Sequence, residues 1–182
     1  MRLGIPAVLI PGIILAVTLG WNPTKFTNVT NYHNIKQIFP DSGVVAHVND
    51  GDTFELKNGV VVRMLGIDAP NRGETHYNIS RDYLRTMIEG KRVYVEYDRY
   101  QDDKYGRVIA WVWIGCEATP TFLPADYMHL TYNRSREGLK ENPEGCKKGT
   151  LVNEAMADGG WATAERYKER GDLKYEERLM SR

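Results

Sequence analysis

The stretch 49–71 constrains this chain more than any other. It opens on Asn49-Asp50-Gly51-Asp52-Thr53 and passes through the turn Lys57-Asn58-Gly59. It then runs on as Val, Met, Leu and Ile over 60–67 with one Arg63, and closes on Asp68-Ala69-Pro70-Asn71. An Asn-Gly pair between two short β-prone runs predicts a tight antiparallel hairpin, and 44–48 before it reads as a third strand of the same meander. Such a hairpin sets Asp52 beside the end of the following strand. Side chains alternate faces along a strand, so Arg63 and Asp68 have opposite parity. They can address one site only if the strand bends near Gly66.

The carboxylates of Asp50, Asp52 and Asp68 are hard oxygen donors of the kind that Ca²⁺ or Mg²⁺ takes. A guanidinium on the strand between them suits a phosphate held by the same ion. Taken singly, Asp-Gly and Asp-x-Pro are ordinary turn chemistry. Joined to Asp103-Lys104-Tyr105-Gly106-Arg107 downstream, they point to phosphodiester chemistry.

The rest of the chain supplies a frame for these groups. Ile79, Tyr83, Leu84, Met87 and Ile88 recur at helical spacing, which predicts a core-facing stripe, and Gly90 supplies a stop. Residues 92–97 and 108–114 read as two more strands, separated by a charged loop over 98–106. That makes five strands with a helix between the third and fourth. Residues 115–149, with Pro120, Pro124 and Pro143, read as an elaborated loop. Thr150 is the expected N-cap of a helix over 151–157 that Gly159-Gly160 ends. Residues 161–180 have mostly helical propensity, broken at Gly171-Asp172, with Leu173, Leu179 and Met180 available to pack on the sheet.

Of the 182 residues, 24 are Lys or Arg and 24 are Asp or Glu, so attraction to a polyanion has to be local. An uncharged apolar run over 3–21, preceded by Arg2, is about long enough to span a bilayer, which takes roughly 17–25 residues. Residues 1–21 are therefore expected to be a signal anchor or a cleaved signal peptide, and 22–42 a linker. The domain proper, 43–182, carries an insertion at 115–149. Arg2 on the inner side would leave that domain extracytoplasmic, tethered to the membrane or secreted. Cys116 and Cys146 both fall in the insertion, and the sequence leaves open a disulfide or two separate thiols. His33, His47, His76 and His129 show no zinc-ligand spacing with them.

In order, Asp-Gly-Asp-Thr at 50–53, Arg-x-Leu-x-x-Asp-x-Pro at 63–70, Asp-Lys-Tyr-Gly-Arg at 103–107 and Leu-Val-Asn-Glu-Ala at 151–155 resemble the staphylococcal nuclease (thermonuclease) family. The resemblance implies an α+β fold, a five-stranded OB-fold β-barrel with about three helices, here preceded by the N-terminal hydrophobic segment. It also implies a Ca²⁺-dependent endonuclease, expected as a monomer, hydrolysing the backbone of DNA and/or RNA with little sequence preference. Position by position, Asp52 and Asp68 match the family's metal-binding carboxylates. Ala69 would add its backbone carbonyl, and Asp50 fits a place just outside the ligand set. Arg63 and Arg107 match the two arginines that clamp the scissile phosphate, and Lys104 and Tyr105 match groups that hold a neighbouring one.

One position departs. Where the family has the glutamate assigned to activating water, this chain has Asn71, which orients water but cannot take its proton. Glu74, three residues on, is the expected substitute base. Two functions follow: a working nuclease, or a nuclease-like OB-fold module that binds nucleic acid without efficient cleavage.

Overall fold

The computed structural model describes residues 39–123, 125, 146–166 and 172–181. The N-terminal apolar segment and the greater part of the 115–149 insertion lie outside the described residues. Among the described residues no helix is long and apolar enough to cross a membrane.

Three strands form the predicted meander: β1 (Ser42–Val48), β2 (Thr53–Leu56) and β3 (Val61–Met64). Val48 pairs with Phe54, and Thr53 with Arg63. After the two-residue β4 (Ile67–Asp68) and helix α1 (Tyr77–Ile88) come β5 (Arg92–Glu96) and β6 (Val108–Ile114). β5 returns antiparallel to the first half of β1, pairing Ser42 with Tyr94, and β6 runs antiparallel to β5. β1 serves both neighbours because its register shifts between Val45 and His47, and such a bulge bends a strand. β6 then pairs in parallel with β3, Val62 with Val108 and Met64 with Ala110, which closes five strands into a barrel. Closure removes the exposed sheet edges, and the expected OB-type architecture is present. Val45, Val48, Phe54, Leu56, Val62, Met64, Val93, Val95, Ala110 and Val112 fill the interior.

Several elements differ locally from the sequence-based expectation. The run 60–67 is not one strand: β3 stops at Met64, and Gly66 turns the chain with a φ of +73° into β4. The inward stripe of α1 is Ser80, Leu84 and Ile88 rather than one containing Ile79, which is 51% exposed. Thr150 is not a cap. It pairs with Ile114 as part of β7 (Thr150–Leu151), and α2 (Val152–Asp158) begins after it. Residues 161–164 are not helical: Trp161 and Ala162 form a bend, and β8 (Thr163–Ala164) pairs with β4 and gives that short strand its only partner among the described residues. Residues 39–42, assigned to the linker by sequence, belong with the barrel. Phe39 meets Tyr97 edge-on at 5.6 Å, and the Tyr97 hydroxyl donates to the Pro40 carbonyl.

Buried polar groups tie the C-terminal part to the barrel. Asn153 is fully buried on α2; its Oδ1 accepts from Val112 N at 2.9 Å and its Nδ2 donates to the Leu65 carbonyl at 2.7 Å. Glu96 accepts from Trp113 Nε1 at 2.8 Å and from the Tyr175 hydroxyl at 3.0 Å, and pairs with the buried ammonium of Lys174. Asp98, at the head of the expected charged loop, is fully buried and accepts from Trp111 Nε1 at 3.0 Å and from Lys174 N at 2.6 Å. The last helix, α3 (Glu176–Met180), follows this anchor. Cys116 and Cys146 form a disulfide that resolves the alternative left open by sequence and closes the base of the insertion where β6 meets β7.

Two outcomes follow for stability. A Cβ at Gly66 would lie 2.9 Å from both Trp111 and Leu179. Left-handed backbone strain of about 1–2 kcal/mol and overpacking of about 1–3 kcal/mol therefore make Gly66→Ala destabilising by about 2 kcal/mol or more in urea titration. The disulfide joins residues 30 apart, so Cys116→Ser with Cys146→Ser should cost about 3–4 kcal/mol in the same assay. An unchanged midpoint would show that the crosslink does not limit the unfolded chain.

Candidate active site

Arg63 sits on β3 directly across from Thr53 on β2 and beside Ile109 on β6. Its guanidinium turns along the strand and fills the inside of the Gly66 bend. NH1 donates to the Met64 carbonyl at 3.0 Å and the Ile67 carbonyl at 2.8 Å, and lies 3.0 Å from Asp52 Oδ2. NH2 donates to Asp68 Oδ1 at 3.1 Å. One cation therefore spans both carboxylates, and the parity conflict between Arg63 and Asp68 disappears because the strand breaks between them.

The two acids differ in setting. Asp68 ends β4 with its side chain 58% exposed, whereas that of Asp52 is only 8% exposed. Asp52 Oδ2 also accepts from Ala69 N at 2.7 Å, and Oδ1 from the Thr53 hydroxyl at 2.9 Å. Asp50 Oδ1 accepts from Asp52 N at 3.1 Å, which fixes the loop between β1 and β2. Burial pushes the Asp52 carboxyl up to about 7 against the pull of Arg63, and the charge of Asp50 adds to the rise. Burial thus outweighs the stabilisation that Arg63, the Ala69 amide and the Thr53 hydroxyl give the charged form.

Arg107 reaches the same place from the other side of the barrel mouth. Asp103 holds it: Nε and NH2 both lie 2.7 Å from Asp103 Oδ2, across a turn that carries Gly106 at φ +78°. NH1 lies 3.4 Å from the Thr53 hydroxyl, which itself donates to Asp52. Burial alone would raise the Asp103 carboxyl, but hydrogen bonds from Arg107 and from the Tyr105 amide hold it below the usual carboxylate range. Tyr105 is 71% exposed, with Lys104 Nζ 5.0 Å and the Arg107 guanidinium 5.4 Å from its ring centre. A cavity of about 640 Å³ opens here, lined by Arg63, Tyr100, Asp102, Asp103, Lys104, Tyr105, Arg107 and Ile109.

The structure thus joins Asp50, Asp52, Asp68, Ala69 and Arg63 in one cluster, links Arg107 to it through Thr53, and places Lys104 and Tyr105 on the wall of the adjoining cavity. Asn71 and Glu74 lie outside that lining, on the exposed loop after Pro70. There Glu74 Oε2 accepts from Asn71 N at 2.7 Å, and Glu74 N donates back to the Asn71 carbonyl at 2.9 Å. Sequence reasoning gave no role to Thr53 or Asp103, although both stand inside the motifs. Asp103 was legible as an acid four residues before an arginine across a glycine turn. Tyr100 and Ile109, which complete the cavity, carry no such signal.

Among the described residues no three His, Cys, Asp or Glu side chains are grouped so as to hold a metal. The donor chemistry of the cluster still fits a hard cation. Two carboxylates share one guanidinium, and burial works against the charged form of Asp52 despite that pairing. Two side chains and a carbonyl fall short of the six to eight oxygens Ca²⁺ takes, so water and a phosphate oxygen would complete the set.

A family model described as "Staphylococcal nuclease homologue" matches residues 61–181, more than half of the chain. An uncharacterized endonuclease of Escherichia coli is 36% identical over 74 residues, 39% of this chain and 47% of that protein. A thermonuclease of Staphylococcus intermedius is 35% identical over 86 residues, 42% of this chain and 51% of the relative. Protein ParB of Escherichia coli is 35% identical over 78 residues, 41% and 43% of the two chains. The chain thus spans about half the length of the curated relatives it matches. With the closed barrel and the extent of the family match, it belongs to the staphylococcal nuclease homologue family.

Proposed function

We propose that this protein is an exported or membrane-anchored, Ca²⁺-dependent nuclease that hydrolyses phosphodiester bonds of DNA and/or RNA with little sequence preference. The observation that carries the reading is that Arg63 bridges Asp52 and Asp68, that Arg107 is linked to Asp52 through Thr53, and that both arginines line one cavity. Relatives named endonuclease and thermonuclease support it. The disulfide supports an oxidising compartment, in keeping with the apolar segment that precedes the domain.

Asp52 and Asp68, with the Ala69 carbonyl, would hold Ca²⁺, while Asp50 steadies the loop behind them. When bound, the ion would neutralise charge on the scissile phosphate and polarise it. Arg63 and Arg107 then present fixed forks of donors to the equatorial oxygens, where negative charge grows during in-line attack. Asp103 keeps the Arg107 fork oriented before substrate arrives. Lys104 and Tyr105 bind the next phosphate along the strand, and the exposed Tyr105 ring offers a face for a base.

Glu74 takes the proton of the attacking water. Its carboxylate accepts from the backbone amide of residue 71, so it is tethered within one hydrogen bond of the position where the family has its glutamate. Asn71, whose amide holds a water without deprotonating it, favours a second reading: a module that binds nucleic acid and turns it over poorly.

Plasmid and single-stranded DNA should be cut in Ca²⁺ and left intact in chelator. Glu74→Gln should lower kcat by about 10²- to 10⁴-fold while leaving DNA affinity nearly unchanged. Unchanged turnover would remove Glu74 from the mechanism, and binding without cleavage in every divalent ion would favour the second reading. Arg107→Lys keeps the charge and loses the fork, so it should lower kcat about 10²-fold or more, and parity with wild type would contradict a clamping role.

A further inference from the structure

Gly51, between the two acids of the Asp50–Asp52 loop, is wedged between two elements. A Cβ there would come within 1.9 Å of Ser80 Oγ on α1 and 2.6 Å of the Ala69 Cβ just after β4. Ser80 has no exposed surface, and its hydroxyl has no hydrogen-bond partner among the described residues. A buried hydroxyl left unpaired is costly, and replacing it by a methyl would be expected to help the fold. The helix is also tied to the same loop one turn earlier, where the Tyr77 hydroxyl donates to the Asn49 carbonyl at 3.1 Å. Helix α1 therefore backs the acid-bearing loop along its length, with one unused donor aimed at its centre.

We propose that Ser80 is a positioning residue for the cation-bound loop, an inference that rests on the Ca²⁺ site proposed above. Without a cation, Asp52 Oδ2 is committed to Arg63 and to Ala69 N, while Gly51 beside it packs on Ser80. A cation shared by Asp52 and Asp68 would take over part of the Asp52 contact with Arg63 and let the Gly51 turn readjust where it already packs on Ser80. The Ser80 hydroxyl then donates to the backbone of the Asp50-Gly51 turn and holds Asp52 at the ion. Side-chain size matters on the same contact: serine is small enough to admit the Gly51 backbone, and a larger residue would push the loop away.

The test is calorimetric Ca²⁺ titration of wild type and Ser80→Ala, together with melting of both in chelator. Ser80→Ala should melt at or above the wild-type temperature without metal, yet bind Ca²⁺ about five- to tenfold more weakly, the worth of one hydroxyl hydrogen bond. A merely structural serine would move the first readout and leave the second unchanged. Ca²⁺ affinity of Ser80→Ala within twofold of wild type would overturn the proposal and leave the Ca²⁺ site standing. No Ca²⁺ binding by wild type would overturn both.

Discussion

The geometry of this molecule turns on one guanidinium. Arg63 occupies the inside of a bend in which four residues carry the chain from the third barrel strand to Asp68. From there it reaches two backbone carbonyls and two carboxylates. A charge so little exposed is stable only when its donors are satisfied, and removing one partner of a buried pair costs more than the pair contributes. The bend and the ion triad therefore require each other: Gly66 provides the left-handed conformation, and Arg63 satisfies the carbonyls that the bend strips from the sheet. With this done, two acids five and eleven residues away from the arginine meet at one point.

The second half of the chain supports that point from beneath. Trp111 and Leu179 crowd Gly66, Glu165 N donates to its carbonyl at 2.8 Å, and Asn153 bonds the Leu65 carbonyl. β8 gives β4, and hence Asp68, its strand partner. Trp111 and Trp113 are in turn fixed through their ring nitrogens to Asp98 and Glu96, which also grip Lys174. The acid that would ligate a cation is thus positioned by residues more than 80 places downstream, so changes in the C-terminal segment should be felt at the active-site mouth.

Much of the barrel was legible because its signals are local. The Asn58-Gly59 turn, the alternation in β1 to β3 and the apolar strand β6 each declare themselves within about ten residues. The bend at Gly66 was legible as a parity requirement, since an unbroken strand would send Arg63 and Asp68 to opposite faces. What escaped depends on partners far away in sequence. Thr150 has the chemistry of a cap, yet Ile114 recruits it to a sheet; residues 161–164 favour helix until β4 needs a partner. Ile79 fits the apolar stripe, but the loop at Gly51 demands a small residue on the inward face, and Ser80 takes it. At the site, Asp52, Asp68 and Arg63 stand inside the motifs and lie together, whereas Thr53 as the link between Arg107 and Asp52 follows only from strand register.

A crystal structure of the protein with Ca²⁺ and a nucleotide phosphate tests the central claim most directly. One cation should lie on carboxylate oxygens of both Asp52 and Asp68 at about 2.3–2.6 Å, with Arg63 and Arg107 donating to the same phosphate. A cation bound elsewhere at saturating Ca²⁺, with Arg63 still bridging the two acids, would contradict it.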